Sequence, residues 1–276
     1  MSRPTVFGIV NITEDSFSDG GRLLDPGAAI TAALRLAAEG ADVIDLGAAA
    51  SNIAAKPVPP AEEIRRLDPV ITALKAAGIP VSVDSFAPET QRFAIQRRVD
   101  FLNDIEGFSH PELYADLAAA DCRLVVMHAV QGRGRAQRVA VSPDAIWQRI
   151  AGFFTARIAA LEAAGIARER LILDPGMGFF LSSDAKASLR VLTGLDRLKR
   201  EFGLPVLVSV SRKSFLATVT CREALEARGP ASLAAELFAA AHGADYIRTH
   251  DPGALKDGLA VMAALAAEQR ARASYL

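Results

Sequence analysis

The sequence predicts one (β/α)8 barrel, formed as a single domain by residues 1–276. Eight short apolar runs, rich in β-branched residues, recur along the chain, and each ends on a polar residue. A segment with helix signals separates each run from the next, and no linker rich in Pro, Gly or Ser divides the chain. A barrel of this class takes about 250 residues, so the length fits one barrel better than two doubly wound domains.

The eight apolar runs are the predicted strands. They cover residues 6–11, 43–45, 81–84, 101–103, 124–128, 171–174, 206–211 and 246–248. They are apolar on both faces, which is typical of parallel strands buried between two layers. We therefore expect them to lie side by side with helices outside them.

The segments between the runs begin and end with helix signals. Residues 25–40 open with an Asp-Pro pair, an N-cap followed by proline in the first turn, and close on a glycine. Residues 142–165 open with Ser-Pro, carry an apolar stripe at helical spacing and also end on glycine. Residues 229–243 likewise begin with Gly-Pro and end on glycine. Each of the three segments is predicted to be a helix.

One local pattern occurs three times: GADVID in residues 40–45, RVDFLN in 98–103 and GADYIR in 243–248. In each copy a helix ends, an Asp turns the chain, a strand begins and a polar residue closes it. Asp45, Asn103 and Arg248 are therefore expected at equivalent places, the carboxyl ends of their strands.

The charge balance argues against a nucleic acid or membrane partner. The chain has 31 basic and 32 acidic residues, a net charge of -1. No stretch without Asp, Glu, Lys or Arg exceeds ten residues, whereas a membrane-spanning helix needs about 20. Neither a signal peptide nor a disulfide framework is evident. We therefore expect a cytoplasmic protein.

Polar residues follow nearly every predicted strand, where a barrel builds its active site. They are Asn11, Asp45, Asp84, Asn103, Asp104, His128, Asp174, Ser211, Arg212, Lys213, Arg248 and His250. The ordinary polarity of loops explains one or two of these positions, but not eight successive strand ends. The pattern therefore predicts a functional site at this end of the barrel.

The strand-end residues divide into two sets, expected on opposite sides of the barrel mouth. Asp84, Asn103 and Asp174 mainly accept hydrogen bonds, which suits a ring rich in N–H donors. The cations follow the seventh and eighth strands, the usual phosphate position of this fold. Ser214 is expected to cap a helix that begins at Phe215 and holds a carboxylate or phosphate. Together these features predict an anionic substrate with a polar ring, without naming the reaction.

Seven segments resemble those of the dihydropteroate synthases: FGIVNITEDSFSDGG in residues 7–21, VDS in 83–85, NDI in 103–105, VMH in 126–128, DPGMGF in 174–179, SRKSF in 211–215 and RTH in 248–250. The resemblance implies a barrel transferase of folate biosynthesis. It would join 6-hydroxymethyl-7,8-dihydropterin pyrophosphate to p-aminobenzoate, forming 7,8-dihydropteroate and pyrophosphate. It also implies Mg²⁺ as the cofactor and a homodimer.

The same resemblance assigns roles to individual residues. The residues that it implies for the pterin are Asp84, Asn103, Asp174 and Lys213. Those implied for the pyrophosphate are Asn11, Ser51, Arg248 and His250, and Asn11 would also lie near Mg²⁺. Those implied for p-aminobenzoate are Ser214, Phe179 and Phe17. The family mechanism is dissociative: the C–O bond to pyrophosphate breaks before the amine attacks. Arg248, His250 and Mg²⁺ would then stabilise the leaving charge, and carboxylates such as Asp84 the pterin cation, with Lys213 also in the catalytic set.

Two departures from the family pattern resemble its sulfonamide-insensitive subgroup. The second loop usually reads Ser-Thr-Arg-Pro-Gly, but residues 49–54 read AASNIA, so Asn52 replaces an arginine if Ser51 replaces the threonine. After the sixth strand, residues 178–181 read GFFL where a small residue and a lysine are usual. An aromatic wall near Phe179 would admit p-aminobenzoate and exclude the larger drugs. Core packing of Phe179 and Phe180 is the competing interpretation.

Several alternatives remain open at this point. A pterin-using barrel of the same superfamily could transfer a methyl group from methyltetrahydrofolate, although it would not use the cations as a pyrophosphate site. A Schiff-base aldolase would use Lys213, but its neighbours Arg212 and Ser214 suit anion binding better. The missing second-loop arginine favours a pterin-binding paralogue without catalysis. His128 fits either packing or support of the site.

Overall fold

The computed structural model describes residues 3–14, 22–51, 53 and 56–273. Within these residues eight parallel strands form one sheet: β1 (Thr5–Asn11), β2 (Val43–Gly47), β3 (Val81–Asp84), β4 (Phe101–Asp104), β5 (Arg123–Met127), β6 (Leu171–Asp174), β7 (Leu207–Val208) and β8 (Tyr246–Thr249). Their order is β6-β5-β4-β3-β2-β1-β8-β7. A parallel bridge between Leu173 and Val206 joins the two ends of the sheet. The predicted (β/α)8 barrel is confirmed.

Ten α-helices of the described chain accompany the strands: α1 (Pro26–Glu39), α2 (Pro60–Ala76), α3 (Pro88–Gln96), α4 (Tyr114–Ala119), α5 (Ile146–Ala163), α6 (Ala185–Leu192), α7 (Leu195–Phe202), α8 (Ser214–Thr220), α9 (Gly229–Ala241) and α10 (Pro252–Ala273). The predicted cap of α1 is present, because Asp25 Oδ2 accepts the Ala28 N–H at 2.8 Å. None of these helices combines the length and the apolar composition that a membrane crossing requires.

Several predicted boundaries differ from the structure by one or more residues, and two of the differences affect the site. β7 is shorter than the predicted run over residues 206–211, because the chain leaves the sheet and turns through Arg212, whose φ is +58°. The prediction that Ser214 caps a helix beginning at Phe215 is wrong. α8 begins at Ser214 itself, with Lys213 at the N-cap position and no side-chain cap.

The repeated aspartates form hydrogen bonds at the amino ends of neighbouring strands. Asp42 accepts the backbone N–H of Val6, and Asp100 accepts that of Val81, both at 2.8 Å. Asp245 accepts the Val206 N–H at 2.9 Å. In each case the aspartate's own N–H donates back to the carbonyl of the same partner. The threefold sequence pattern therefore aligns each strand with its neighbour at the amino end.

Aromatic residues fill the barrel interior near the amino ends of the strands. Phe7 makes edge-to-face contacts with Phe101 at 5.0 Å and with Tyr246 at 5.8 Å between ring centroids. A second and larger core lies between strands and helices. Because apolar side chains occupy the amino end of the barrel, the polar strand ends face the opposite mouth, where they form the site.

Candidate active site

The strand register brings the predicted pterin residues side by side at the carboxyl end of the barrel. Asn11 pairs with Gly47 across β1 and β2, and Gly47 pairs with Asp84. Asp84 in turn pairs with Asn103, while Asp174 ends β6. Gly47 lets these groups crowd together, because a Cβ there would lie 3.4 Å from Asn11 Oδ1 and 3.9 Å from the Asp84 Cβ.

Arg248 connects two carboxylates in the mouth. Its Nε donates to Asp45 Oδ2 at 2.5 Å and its Nη2 donates to Asp84 Oδ2 at 2.6 Å. Asp45 is fully buried, so this is an ion network largely removed from water. The expected separation of acceptors and cations on opposite sides of the mouth is therefore not observed at Arg248. The guanidinium, assigned to the pyrophosphate, bonds directly to Asp84, one of the residues assigned to the pterin.

Burial raises the pKa of the two acidic pterin residues. For Asp84 desolvation raises the pKa to about 6, and Arg248 opposes the rise. For Asp174 burial also raises the pKa to about 6, while the Gly176 N–H, which donates to it at 2.8 Å, lowers it. Carboxyl groups of this kind gain or lose a proton near neutral pH, and a cationic or N–H-rich ligand would favour their ionised form.

The basic residues of the mouth are perturbed in the opposite direction. Burial, followed by the charge of Arg248, lowers the pKa of Lys213 to about 8. Burial together with the charges of Arg212, Arg248 and Lys213 lowers the pKa of His250 to about 3. His250 is thus a neutral imidazole until an anion binds, because a nearby anion would restore its basicity.

Two acceptor oxygens near the mouth are buried without a hydrogen-bond partner among the described residues. They are Asn103 Oδ1 and Asp45 Oδ1. Asn103 lies near the end of β4, whereas Asp45 lies within β2. Buried polar atoms are nearly always satisfied, so an unpaired acceptor beside a binding site indicates a ligand donor. A ring bearing N–H groups supplies donors of this kind.

Two glycines of the loop after β6 allow close approach to other site elements. Gly176 has φ +74°, and a Cβ there would lie 2.4 Å from the carbonyl oxygen of His128. Gly178 has φ +65°, and its Cβ would lie 3.0 Å from Ser214 Oγ. The loop therefore packs directly against β5 and the start of α8, which brings Ser214 beside the DPGMGF segment.

The adjacent aromatic residues Phe179 and Phe180 have different environments. They lie in the 3-10 turn Gly178–Phe180. Phe180 is buried against Met127 and Ala136, and Lys213 Nζ lies 5.1 Å from its ring centroid. Phe179 is only half-buried and lines a pocket of about 690 Å³. Phe180 also lines this pocket, and Phe179 packs against the same apolar cluster, so the two residues differ in degree of burial: Phe180 combines core packing with the pocket wall, and Phe179 is the more exposed part of that wall.

The same pocket is lined by groups from several loops, including Ser51, Ile53, Arg138, Met177, Lys213 and Ser214. The Arg138 guanidinium carbon lies 5.4 Å from the Phe179 ring centroid. Backbone hydrogen bonds join the surrounding loops: Ala136 N to Ser51 O at 3.0 Å and Val130 N to Phe180 O at 2.9 Å. Ser51, predicted at the pyrophosphate, thus lies at the rim of the pocket that holds Phe179 and Ser214.

Other expectations have different outcomes. Phe17 and Asn52 lie outside the described residues. His128 is a packing residue, with Nδ1 3.1 Å from the Pro175 carbonyl and an edge contact to Phe153, and burial lowers its pKa to about 4. In the sequence, Asp45 is only the closing residue of a repeated local pattern and has no assigned role. Arg138 belongs to a basic cluster over residues 133–138 that the sequence alone predicts to be a solvated loop, whereas the structure places Arg138 at the pocket.

Known proteins share this fold and much of this sequence. The model of the pterin binding enzyme family matches residues 7–250. A type-2 dihydropteroate synthase of Escherichia coli is 58% identical over 97% of this chain and 98% of its own length. The dihydropteroate synthase of Xanthomonas albilineans, solved in complex with 7,8-dihydropteroate, is 36% identical, with a TM-score of 0.81 over 96% of this chain and 94% of that one. The Yersinia pestis enzyme, solved with a sulfonamide drug, is 31% identical, with a TM-score of 0.87 over 96% and 95%.

The resemblance seen in the sequence is confirmed, and with it the enzyme class. The mouth of the barrel combines buried acceptors and cations, and it adjoins the pocket lined by Phe179 and Ser214. The chain belongs to the dihydropteroate synthases of the pterin binding enzyme family, the transferases that condense a dihydropterin pyrophosphate with p-aminobenzoate in folate biosynthesis.

Proposed function

We propose that this chain carries out the condensation around the network of Arg248, Asp45 and Asp84, with the pterin on one side and p-aminobenzoate in the pocket of Phe179. The observation that carries the assignment is the position of Arg248 between two carboxylates. In that position it can release one hydrogen bond to Asp84 for a ligand while Asp45 still holds its Nε. Asp84 then becomes available to the donors of the pterin ring.

The pterin is assigned to the carboxyl ends of β3, β4 and β6. Asp84 and Asp174 would accept hydrogen bonds from its ring N–H and amino groups, and the unpaired Oδ1 of Asn103 would accept another. Lys213 stands above the ring of Phe180, where its charge can polarise an oxygen at the pterin edge. Buried acceptors of this kind reject rings that lack matching donors, because an unmatched acceptor loses its hydration without replacement.

The pyrophosphate is assigned to Arg248, His250 and Asn11, with Mg²⁺ as its counter-ion. Within the described residues there is no group of three or more His, Cys, Asp or Glu side chains arranged to hold a metal. A single amide oxygen from Asn11 nevertheless suits Mg²⁺, which keeps several waters and is commonly shared between one protein oxygen and phosphate oxygens. When bound, Mg²⁺ would neutralise part of the charge on the leaving group. The protein's own residues hold and orient that group.

The chemistry needs stabilisation of charge more than a strong base. When the C–O bond to pyrophosphate breaks, Arg248 and a protonated His250 would receive the leaving anion. The positive charge left on the pterin would lie near the carboxylates of Asp84 and Asp174. The aryl amine then attacks from the neighbouring pocket, so its position determines the rate of bond formation.

We also propose that the pocket is insensitive to sulfonamides because Phe179 forms a rigid wall. Phe179 is half-buried and lies under the Arg138 guanidinium, which limits the ring's freedom to move aside. A planar carboxylate can fit between such a wall and Ser214, whereas a tetrahedral sulfonyl group that carries a second ring projects towards the wall.

The synthase assignment is tested by incubating the protein with the pterin pyrophosphate, p-aminobenzoate and Mg²⁺ and measuring pyrophosphate release. We expect turnover in the parent and a fall in kcat/KM of at least 100-fold in Asp84→Asn. Glu39→Gln, on the outer helix α1, is the matched control and should be unchanged. Tight pterin binding without any pyrophosphate release would instead support the non-catalytic paralogue.

The sulfonamide assignment is tested by inhibition assays. We expect a sulfonamide to inhibit the parent weakly and to inhibit the variant lacking Phe179 at least tenfold more strongly, while the KM for p-aminobenzoate changes less. Phe93→Ala is a control, because Phe93 also lies beside an arginine, at 5.2 Å, but on the outer helix α3. Strong inhibition of the parent at ordinary drug levels would contradict the proposal and leave the synthase assignment intact.

A homodimer in the cytoplasm is proposed on the family resemblance alone. Light scattering coupled to size-exclusion chromatography measures the first property, since a dimer of 29.2 kDa chains has twice the monomer mass. Cell fractionation measures the second. A monomer at micromolar concentration would contradict the homodimer.

A further inference from the structure

The long loop after β5 forms part of the wall of the pocket that holds Phe179. This β5 loop, residues 128–145, contains no helix or strand. Ordered connections of more than about 15 residues without either are uncommon in compact domains unless they are functional. Ala136 and Arg138, in the second half of the loop, line the pocket. The contacts that hold the loop in place therefore bear on what the pocket accepts.

The tip of the β5 loop, residues 131–134, makes little use of packing. Two of its residues, Gly132 and Gly134, have φ values of +78° and +74°. A Cβ placed on either glycine would have no atom within 4 Å, so the tip projects into open space. The backbone N–H groups of Val130 and Ala136, which donate to neighbouring loops, attach the β5 loop only on either side of the tip. The position of the tip itself therefore depends on its own hydrogen bonds.

Glu106, in the loop after β4, makes the shortest hydrogen bond between the tip and another part of the described chain. Its Oε1 accepts the Gly134 N–H at 2.7 Å, and its Oε2 accepts the Ser109 hydroxyl at 2.8 Å. The residue is only 5% exposed. A second bond from the tip, from Arg133 Nη2 to the Ser109 carbonyl, is longer at 3.5 Å. Both oxygens of a buried carboxyl group are thus committed to holding the tip and its surroundings.

The backbone of Glu106 is itself held firmly to the barrel. Asp104, the last residue of β4, accepts the Glu106 N–H through Oδ1 at 2.7 Å and the Phe108 N–H through Oδ2 at 3.0 Å. Between them Gly107 has φ +62°, and a Cβ there would lie 3.0 Å from the Met127 carbonyl oxygen. This compact turn connects Glu106 directly to the sheet, so its carboxyl group is a fixed point for the tip.

We propose that Glu106 is a positioning residue for the p-aminobenzoate pocket, because it fixes the tip of the β5 loop and so keeps Arg138 over the Phe179 ring. Glu106 lines a neighbouring cavity of about 460 Å³ rather than this pocket, so it acts through the loop. The family resemblance assigns no role to Glu106. The inference rests on the function proposed above for the pocket, binding of p-aminobenzoate beside Phe179.

The bond to Glu106 differs in kind from the other attachment of this part of the loop. Among the described residues, the chain between Gly134 and Arg138 has one further backbone bond to another element, from the Ala136 N–H to the Ser51 carbonyl at 3.0 Å. That bond joins two loops, which can move together, whereas Glu106 connects the β5 loop to the sheet. Without Glu106 the Arg138 guanidinium is no longer held at 5.4 Å from the ring centroid of Phe179. The pocket then gains room for a bulky ligand, and binding of a small one must first order the loop.

Hydrogen exchange of the Gly134 amide measures the attachment directly, by NMR on protein labelled with ¹⁵N at glycine. In the parent we expect this amide to exchange at least tenfold more slowly than an unstructured amide, because a buried acceptor holds it. Glu106→Met fills similar space without an acceptor and should remove the protection, whereas Glu106→Gln keeps an acceptor oxygen and should retain it. Unprotected exchange in the parent, or unchanged protection in Glu106→Met, would overturn the proposal.

Steady-state kinetics test the effect on the pocket. In Glu106→Met the KM for p-aminobenzoate should rise at least threefold, and the ratio of the sulfonamide inhibition constant to that KM should fall at least fivefold. The KM for the pterin pyrophosphate should change less than twofold, because strand ends hold the pterin, and Glu106→Gln should resemble the parent. An equal rise in both KM values would show general damage to the fold and contradict the proposal.

Glu112→Met is the matched control. Glu112 Oε1 and Glu106 Oε2 lie on either side of the same imidazole, 3.0 Å from His110 Nδ1 and 3.6 Å from His110 Nε2 respectively. The Glu112 side chain is 57% exposed, and its carboxyl group has no printed role in the β5 loop, so exchange at Gly134 and the inhibition ratio should match the parent. Equal changes in the two Met variants would refute a specific role for Glu106.

Two further measurements separate this inference from the proposed function of the pocket. Adding Glu106→Met to Arg138→Leu should change the inhibition ratio less than Glu106→Met does alone, because both changes free the same ring; additive effects would contradict the path through Arg138. If the parent releases no pyrophosphate or is strongly inhibited by sulfonamides, the proposed function fails, and exchange at Gly134 still decides whether Glu106 holds the loop. If Glu106→Met yields no folded protein, Glu106→Asp, which withdraws the carboxyl group by one methylene, replaces it with the same expected results.

Discussion

Replacing Arg248 with methionine tests the ion network at the centre of the site. Methionine is unbranched and apolar, so the change removes the charge and the hydrogen-bond donors while filling the space of the aliphatic part of the arginine side chain. Asp45 and Asp84 would then lose their guanidinium partner, and Asp45 is fully buried. We expect Arg248→Met to destabilise the fold and to lower the rate of pyrophosphate release by at least 100-fold.

The expected loss of stability follows from the two hydrogen bonds. Removing one partner of a buried ion pair costs about 3–5 kcal/mol, because the remaining charge keeps its desolvation penalty. Protonation of a carboxyl group can relieve part of that penalty. We therefore expect a loss of about 3–5 kcal/mol at pH 8, where protonation is least favourable.

The loss should be smaller in acid. The pKa of Asp84 is already raised from 3.8 to about 6, so the folded state binds this proton more tightly than the unfolded state does. A raised carboxyl pKa means that stability falls as pH rises from about 4 to about 6. Without Arg248 the pKa rises further, and the window extends through neutral pH. At pH 5 the carboxyl group is protonated, and about 1–2 kcal/mol remains from unsatisfied hydrogen bonds.

Urea denaturation at pH 5 and pH 8 measures both values as shifts in the transition midpoint at unchanged slope. The matched control is Arg35→Met, which removes an exposed Arg–Glu pair on α1 and should cost less than about 0.5 kcal/mol. Equal losses in Arg248→Met and the control, or a loss in Arg248→Met that is the same at both pH values, would refute the reasoning.

Three further changes test the loops and the lysine. Gly176→Ala should lower the Tm strongly, because the new Cβ would lie 2.4 Å from a backbone oxygen. The control Gly132→Ala has a similar φ of +78° but no atom within 4 Å, so it should lower the free energy of unfolding by only about 1 kcal/mol. Similar Tm shifts in the two variants would contradict this. Lys213→Met should raise the KM for the pterin substrate and remove the activity change near pH 8, where the lysine charge is lost as pH rises; a persistent change there would assign it to another group. Arg138→Leu should lower the inhibition constant of a sulfonamide at least fivefold by freeing the ring beneath it, while Arg97→Leu, beside an aromatic ring on α3, should not; equal effects would show that the contact is irrelevant.

Local sequence signals located all eight strands and several of the polar residues at their ends, although Asp45 lies within β2 and not at its end. The predicted run over residues 81–84 coincides with β3, and the run over 171–174 coincides with β6. Both are buried on two faces, so an apolar run without alternation identifies them. The strand β7 was predicted too long, because the turn at Arg212 is held by Ser232 and Arg228 from α9, and a left-handed arginine has no local sequence signal.

The two adjacent phenylalanines show the limit of local information most directly. Phe179 and Phe180 have the same side chain and neighbouring positions. Both line the pocket, but the turn Gly178–Phe180 buries Phe180 in an apolar cluster beneath Lys213 and leaves Phe179 half-buried. Sequence patterns cannot distinguish the burial of two adjacent, identical residues, because that burial depends on which loops pack against the turn.

The sequence by itself determined the barrel, the order of its strands along the chain and the polar residue at the end of each, since these depend on local periodicity and on the chemistry of individual residues. It also identified the family, through motifs spread from Phe7 to His250. Only the tertiary structure decided which strand ends meet. Arg248 reaches Asp45 across 203 positions because closure of the barrel makes β8 a neighbour of β1. The perturbed pKa values of Asp84, Asp174 and Lys213 depend on burial and on charges from distant elements, so they follow from the fold alone.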